Sequence, residues 1–399
     1  MGSDSISANA SLSPPRADVA RIIVSSYAVR FPVGGYMSWV LQWLVGFQRL
    51  GHEVYFVEKC SWPNACYDPA TGQMTDDCSH GVAALDRLLR EFDLAERWSV
   101  VDIDGRYHGL SRESISAHFR SADVFVDLGL AHDEWSEEAA AAGLRVIVDS
   151  DPGFTQILWE ECLAEGEPLP SYDFHYSVGR NVGTPSSTAP TAGLTWRGIF
   201  NPVNVDLFPV RAVTGAAPFT TIMSWQGKAI RFNGVAYGAK DLEFAKFFEL
   251  PHATAQPLEI AVGGSNVPME RLAAAGWRIR NSVEVTGSFD HFRCYIAQSR
   301  GEFSVAKHAY VATNSGWFSD RGAAYLASGR PVVMQDTGFS MHLPCGEGLF
   351  AVRTVEEAAA AIDEIDRDWE RHSKAARHIA REFLDAPKVL GHFLDEIGV

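Results

Sequence analysis

Near the start of this sequence a strand, a glycine turn, a helix and a second strand follow one another, and that order leaves few folds open. Arg21–Tyr27 (RIIVSSY) is a short apolar run, and Pro32-Val33-Gly34-Gly35 supplies a turn. Residues 37–50 (MSWVLQWLVGFQRL) place apolar side chains at helical spacing, Gly51 stands where a helix C-cap belongs, and Glu53–Glu58 (EVYFVE) is the next strand. This is a βαβ unit, and it predicts the doubly wound α/β class, with a parallel sheet covered by helices.

The alternation continues. Helical periodicity covers 81–94, 112–120, 133–143 and 153–163, with strands at Asp123–Leu128, Arg145–Asp149 and Phe174–Val178. Residues 201–218 (NPVNVDLFPVRAVTGAAP) carry three prolines and no period, so they read as a linker. A second series begins with strand Thr220–Ser224 and helix 239–249, then strand Leu258–Val262 and helix 266–275. It runs on through Trp277–Arg280, 289–299, Glu302–Val305, 319–328, Pro331–Gln335 and Leu349–Val352. Thr354-x-x-Glu357 is a capping box for a helix at 355–366, and helical pieces 369–385 and 388–397 close the chain around Pro387. The expected organisation is a disordered lead-in at 1–18, domains at 19–200 and 219–368 and a helical tail at 369–399.

At 399 residues, two domains of ordinary size are expected. Acidic residues number 50 against 34 basic, a net charge of −16, which argues against a polyanion-binding role and sets the expectation of no nucleic-acid partner. No run approaches the roughly 18 apolar residues of a membrane span, and no signal-peptide core is visible, so a cytoplasmic, reduced setting with no membrane partner is expected. Cys60, Cys66 and Cys78 fall in a Pro/Asp/Gly-rich segment with only His80 nearby and no Cys-x-x-Cys pair, so they read as free or buried thiols and no metal is expected. The turn at Gly34-Gly35 lacks the Gly-x-Gly-x-x-Gly spacing of a dinucleotide fingerprint, which weighs against a nicotinamide or flavin cofactor.

Toward the C-terminus, Asn314-Ser315-Gly316-Trp317-Phe318-Ser319-Asp320-Arg321 reads as a small-residue turn opening a helix, and Gly329-Arg330-Pro331-Val332-Val333 as a break into a buried strand. Unpaired amides and a positive dipole end at such a helix start suit a phosphate. The pattern resembles the donor-binding region of the GT-B glycosyltransferases: two Rossmann-like domains facing across a cleft, with a C-terminal helix crossing back. It departs from two family patterns. The paired glutamates of the large retaining group would fall on Gly316 and Ala324, and the plant-type His-Cys-Gly-Trp-Asn-Ser appears as Asn314-Ser315-Gly316-Trp317-Phe318-Ser319. The stereochemical outcome therefore stays open.

The resemblance implies a metal-independent transferase moving a hexose, from UDP-glucose for preference, to a hydroxyl of a small soluble natural product such as a nucleoside. No cofactor is implied beyond the nucleotide-sugar co-substrate, and a homodimer stays open. Donor contacts are expected from Ser315, Gly316, Ser319 and Asp320 for the diphosphate, with Lys228, then Arg231, supplying positive charge. Tyr237 and Lys240 lie in the same loop as support. Asp336, Thr337, Gly338 and Phe339 are expected to reach the sugar, since a carboxylate bonding two hydroxyls discriminates sharply. Residues 27–38 contain no histidine, so a base must come from first-domain strand ends: Asp149, Asp151 or His175, with Asp127 and His132 behind them. Asp151 reads equally as a helix N-cap, and His175 as a buried strand residue. Tyr27, Gly34, Gly35 and Tyr36 are the expected acceptor residues, whereas Trp39 and Trp43, four apart on one helix, read as core. A nucleotide-sugar 2-epimerase and a non-catalytic nucleotide-sugar binder are the alternatives.

Overall fold

The computed structural model describes residues 19–129, 134–213, 216–227 and 229–399. The segment at 1–18, His132 and Lys228 lie outside the described residues.

Two parallel sheets form the frame. In the first, the strand order is Trp196–Gly198, Phe174–Ser177, Leu144–Asp149, Val124–Asp127, Arg21–Ser25, Glu53–Lys59, Trp98–Val101 and Tyr107–Gly109, all parallel except the last pair. In the second, it is Arg278–Asn281, Leu258–Gly263, Phe219–Ser224, Gly301–Ser304, Val332–Gln335 and Leu349–Val352, parallel throughout. Both reverse strand order beside their first strand, the switch point outside whose carboxyl end doubly wound sheets bind ligands. Central strands are apolar on both faces, as burial from two sides demands: Ile22, Ile23 and Val24 are all fully buried.

The helix Gly34–Arg49 buries nearly all of its length. One face receives the C-terminal helix Ala386–Ile397, and Gly46 has no side chain because a Cβ there would lie 2.4 Å from Leu390. Gly34 is required by a different approach: a Cβ would sit 2.3 Å from the Ser288 carbonyl of the second unit. The tail expected to pack on the first domain divides. Trp369–Ile379 stays with the second sheet, where Trp369 Nε1 donates to the Arg300 carbonyl at 2.7 Å, and only Ala386–Ile397 crosses back. Pro387 sits in the first turn of that last helix, where a proline costs no hydrogen bond, so the break falls before it.

Other expectations shift for local reasons. The stretch 201–208 is anchored rather than loose: Asn201 accepts from Trp39 Nε1 at 3.1 Å, and Asn204 bonds Gln42 through backbone and side chain at 2.7 and 2.8 Å. The helix expected at 239–249 is three short turns, Lys240–Phe244, Ala245–Phe247 and Leu250–Ala253. At Val355–Arg367, Thr354 caps the helix by accepting from Glu357 N, as the capping box predicts. Among the described residues no helix is long and apolar enough to cross a membrane.

Candidate functional site between the two sheets

The carboxyl ends of the two sheets face each other across a cavity of about 510 Å³. Its walls differ in chemistry.

The first-sheet wall is aromatic. The loop after Arg21–Ser25 is drawn in by Glu58, a fully buried carboxylate that accepts from the amides of Ala28, Val29 and Arg30 at 2.8, 2.7 and 2.9 Å. Its charge is balanced by the Arg30 guanidinium at 3.3 Å, and Arg30 also pairs with Glu134 at 3.1 Å. Fixing this loop projects Tyr27 and Phe31 into the cleft, joined by Tyr36 and Trp39 from the helix and Tyr67 from a hairpin. Ring centroids of Tyr27 and Tyr36 are 5.0 Å apart, of Tyr27 and Trp39 5.7 Å, and of Phe31 and Tyr36 5.5 Å. Burial holds the Tyr27 and Tyr36 phenols above their usual range, so both stay protonated as hydrogen-bond groups. Trp43 is core as expected, but Trp39 lines the cavity.

The second-sheet wall is charged. Arg321, in the first turn of the helix Asp320–Ala327, is buried against Glu302 at 2.5 Å and donates to the Ile222 carbonyl at 2.7 Å. Those bonds tie its guanidinium to the sheet, and it lines the cavity beside two lysines. Lys240 begins the turn Lys240–Phe244 and forms no ion pair among the described residues. Burial, then the charges of Arg321 and Lys307, bring its ammonium down to about 7. Lys307, one residue before the turn His308–Ala312, reaches across to Asp151 at 2.7 Å. Asp320 lines the cavity too, and burial raises its carboxyl above the ordinary range.

The structure thus brings Tyr27, Gly35, Tyr36, Asp151 and Asp320 into one cavity. Gly35 has open space where a Cβ would go, and Asp151, instead of capping a helix, spans the cleft: its second oxygen accepts from Tyr310 OH at 2.5 Å. The other expected positions lie elsewhere. Asp149 is fully buried and saturated, accepting from Thr155, Gln156 and Ser177 at 2.6, 2.8 and 2.7 Å and from the Asp151 amide at 2.9 Å. It shapes the turn that presents Asp151. His175 packs edge-on against Trp159 and Trp196 near the sheet's margin, which fits its alternation with apolar neighbours. Arg231 sits exposed on the hairpin Ile230–Phe232/Val235–Tyr237.

The loop expected to hold the diphosphate is largely spent on packing. Gly316, at φ +76°, donates its amide to the Thr337 carbonyl at 2.7 Å, and a Cβ would meet Asn181 N at 2.8 Å. Ser315 and Ser319 are buried, and their hydroxyls have no hydrogen-bond partner among the described residues. In the segment expected to hold the sugar, Asp336 accepts from Gly338 N at 2.9 Å and pairs with Arg353 at 2.9 Å. Thr337 donates to the Trp317 carbonyl at 2.5 Å, Gly338 turns at φ +94°, and Phe339 is core against Phe318. The structure brings forward two cations: Lys240, expected only in support of Lys228 and Arg231, and Lys307, which is not among the expected donor residues. The signal available was position: each immediately precedes or opens a helical turn on the carboxyl side of the second sheet.

No family model matches this chain, and no curated protein matches it in sequence. Solved structures do resemble it. An α-glucosyltransferase in complex with UDP and a 13-mer DNA containing a HMU base gives a TM-score of 0.57 at 10% identity, over 95% of this chain and 99% of that one. Alr3699/HepE of Anabaena, in complex with UDP and glucose, gives 0.51 at 10%, over 95% and 99%. AviGT4, a glycosyltransferase involved in avilamycin A biosynthesis, gives 0.50 at 12%, over 94% and 96%. One expectation is corrected by this set. The net acidity of the sequence argues against a nucleic-acid partner, yet DNA accompanies UDP in glucosyltransferases of the same architecture. Whole-chain charge is an average and does not decide what a local cleft admits. With two switch-point sheets, a cleft between their carboxyl ends and a helix crossing back, this chain has the GT-B fold of the glycosyltransferases.

Proposed function

We propose that this protein is a glycosyltransferase that moves a hexose, glucose for preference, from a UDP-sugar to a hydroxyl of an acceptor with a flat or apolar face. The observation that carries the reading is the pairing of Lys240 and Lys307 with the aromatic wall opposite, inside one cavity. Leaving diphosphate gains negative charge as the sugar bond breaks, and two ammonium groups in a partly desolvated cleft offset it without requiring a metal. The acceptor oxygen bonds to the anomeric carbon, the bond to the β-phosphate oxygen breaks, and UDP departs with that electron pair. The hydroxyl proton goes to Asp151, whose oxygen is released when Lys307 turns from it to the diphosphate. Tyr27 and Tyr36 stack on the acceptor.

Thermal melting with UDP, UDP-glucose and other nucleotide sugars tests the donor. A bound ligand at a hundredfold excess over its Kd adds about 2.7 kcal/mol of stability. If no nucleotide sugar raises the melting temperature, the reading fails. Mass spectrometry of UDP-glucose incubations with aromatic hydroxyl compounds, nucleosides and hydroxymethylated oligonucleotides tests the acceptor. A hexose added to any of them, with UDP released, is the expected result. Isomerised donor without transfer would point to an epimerase.

A further inference from the structure

Outside the cleft, at the margin of the first sheet, three side chains of metal-ligand type converge from separate elements. Cys78 stands at the N-terminus of the helix Ser79–Arg90, Asp102 follows the strand Trp98–Val101, and His108 lies on the antiparallel strand Tyr107–Gly109. His108 Nε2 is 2.9 Å from Asp102 Oδ2 and 3.9 Å from Cys78 Sγ, and all three ligand atoms lie within 4.8 Å of one another. A tetrahedral zinc with bonds of about 2.3 Å to sulfur and 2.0–2.2 Å to nitrogen and oxygen sets ligand–ligand edges of roughly 3.3–3.6 Å. Both recorded distances fall within about 0.6 Å of those edges.

We infer that Cys78, Asp102 and His108 form a three-ligand site for a divalent transition metal of the zinc class, with water at the fourth position. The donor set, one thiol, one imidazole and one carboxylate, is of the type that selects zinc or cobalt over magnesium or calcium. Asp102 is already oriented for the role. Its Oδ1 accepts from the amides of Asp104 and Arg106 at 3.0 and 2.9 Å, leaving Oδ2 turned to the other two groups. Cys78 and Asp102 are buried while the His108 side chain is 34% exposed, which gives an ion an entry path. A plain histidine–aspartate hydrogen bond accounts for one of these contacts, but not for the buried thiol beside the imidazole. Cys78 occupies an N-cap position, yet its side chain makes no capping bond.

Binding would release the thiol proton and join the helix to the two edge strands. Gly81, in the first turn of that helix, abuts the loop behind the aromatic wall: a Cβ there would lie 2.2 Å from the Val29 carbonyl. The ion would therefore brace the support of the acceptor wall without entering the cavity.

Cobalt(II) titration of the chelator-treated full-length protein tests this. Expected are one equivalent bound, a thiolate-to-cobalt charge-transfer band and tetrahedral d–d bands, all displaced by zinc. Cys78→Ser should abolish the charge-transfer band, and His108→Ala should weaken binding at least tenfold. Cys66→Ser should leave both unchanged. Zinc should raise the melting temperature of the wild-type protein and not that of Cys78→Ser. The inference is overturned if the wild-type protein gives no charge-transfer band, or if that band survives in Cys78→Ser and disappears in Cys66→Ser. Because the wild-type titration decides alone, a variant that fails to fold does not rescue the idea.

Discussion

The two walls of the cleft are held in place by the same device and offer opposite chemistry. On each side a fully buried glutamate neutralises an arginine: Glu58 with Arg30 beneath the aromatic loop, Glu302 with Arg321 beneath the lysines. On the first side this leaves a wall mostly of rings, with Asp151 its one carboxylate among the described residues. On the second, Arg321 lines the cavity but is bound to Glu302, Ser304 and the Ile222 carbonyl, and Lys240 and Lys307 stand beside it. The difference teaches that an arginine at a helix start need not be the ligand's partner; here it fixes the ground on which weaker-held cations stand.

The largest expected effect breaks that ground. Glu302→Ala leaves Arg321 buried without its counter-ion, which costs about 3–5 kcal/mol. Denaturant unfolding should show the loss as a lower midpoint. Glu302 also supports the Lys240 ammonium, so the lysine should titrate lower still in this variant. A midpoint unchanged within error would show that Glu302 and Arg321 do not form the buried pair.

Next in size is Lys240→Met. A charged hydrogen bond to the diphosphate is worth about 1.5–3 kcal/mol, so UDP should bind roughly ten- to hundredfold more weakly by calorimetry. The wild-type protein should also lose affinity as pH rises through about 7, where Lys240 gives up its proton, and the variant should not. The sign for folding is opposite. A lysine whose folded pKa is about 7 against 10.5 when free binds fewer protons folded than unfolded between those values. Its contribution to stability therefore rises with pH across that window. A pH profile for UDP that is the same in both proteins would remove Lys240 from the donor wall.

Asp336 marks where reading the sequence succeeded and where it could not. The βαβ alternation, the capping box at Thr354 and the returning C-terminal helix were legible because each depends on local spacing and apolar period. The site was legible only in outline. Asp336-Thr337-Gly338 has the composition of a sugar-binding turn, and nothing in its letters shows that Arg353 and the Gly338 amide already occupy the carboxylate. Gly316 looked like room for a phosphate, yet its φ of +76° and the nearness of Asn181 explain it by packing between the sheets. A contact between residues as far apart in sequence as Gly316 and Asn181 leaves no periodic trace. Asp336→Ala should accordingly cost about 1–2 kcal/mol of stability, from a lost turn cap and an ion pair whose arginine is largely exposed. UDP affinity should be unchanged. A collapse of turnover with UDP-glucose at unaltered stability would instead return Asp336 to the sugar.

The smallest effect on stability, and the sharpest on the comparison, is expected where the walls touch. Asp151 and Lys307 are each about one-third exposed, at 36% and 32%, so Asp151→Asn should cost at most about 1 kcal/mol. Its effect on turnover separates two roles. If Asp151 only clasps the walls together, Lys307→Met, which opens the same clasp, should lower kcat to the same degree. If Asp151 takes the acceptor proton, Asp151→Asn should lower kcat far more than any loss of clasping explains. UDP should then bind Asp151→Asn about as well as wild type, because the carboxylate belongs to the aromatic side of the cleft. Lys307→Met should weaken UDP as well, since the released ammonium is assigned to the diphosphate. Equal losses of UDP affinity in both variants would mean that the boundary between the walls is drawn in the wrong place.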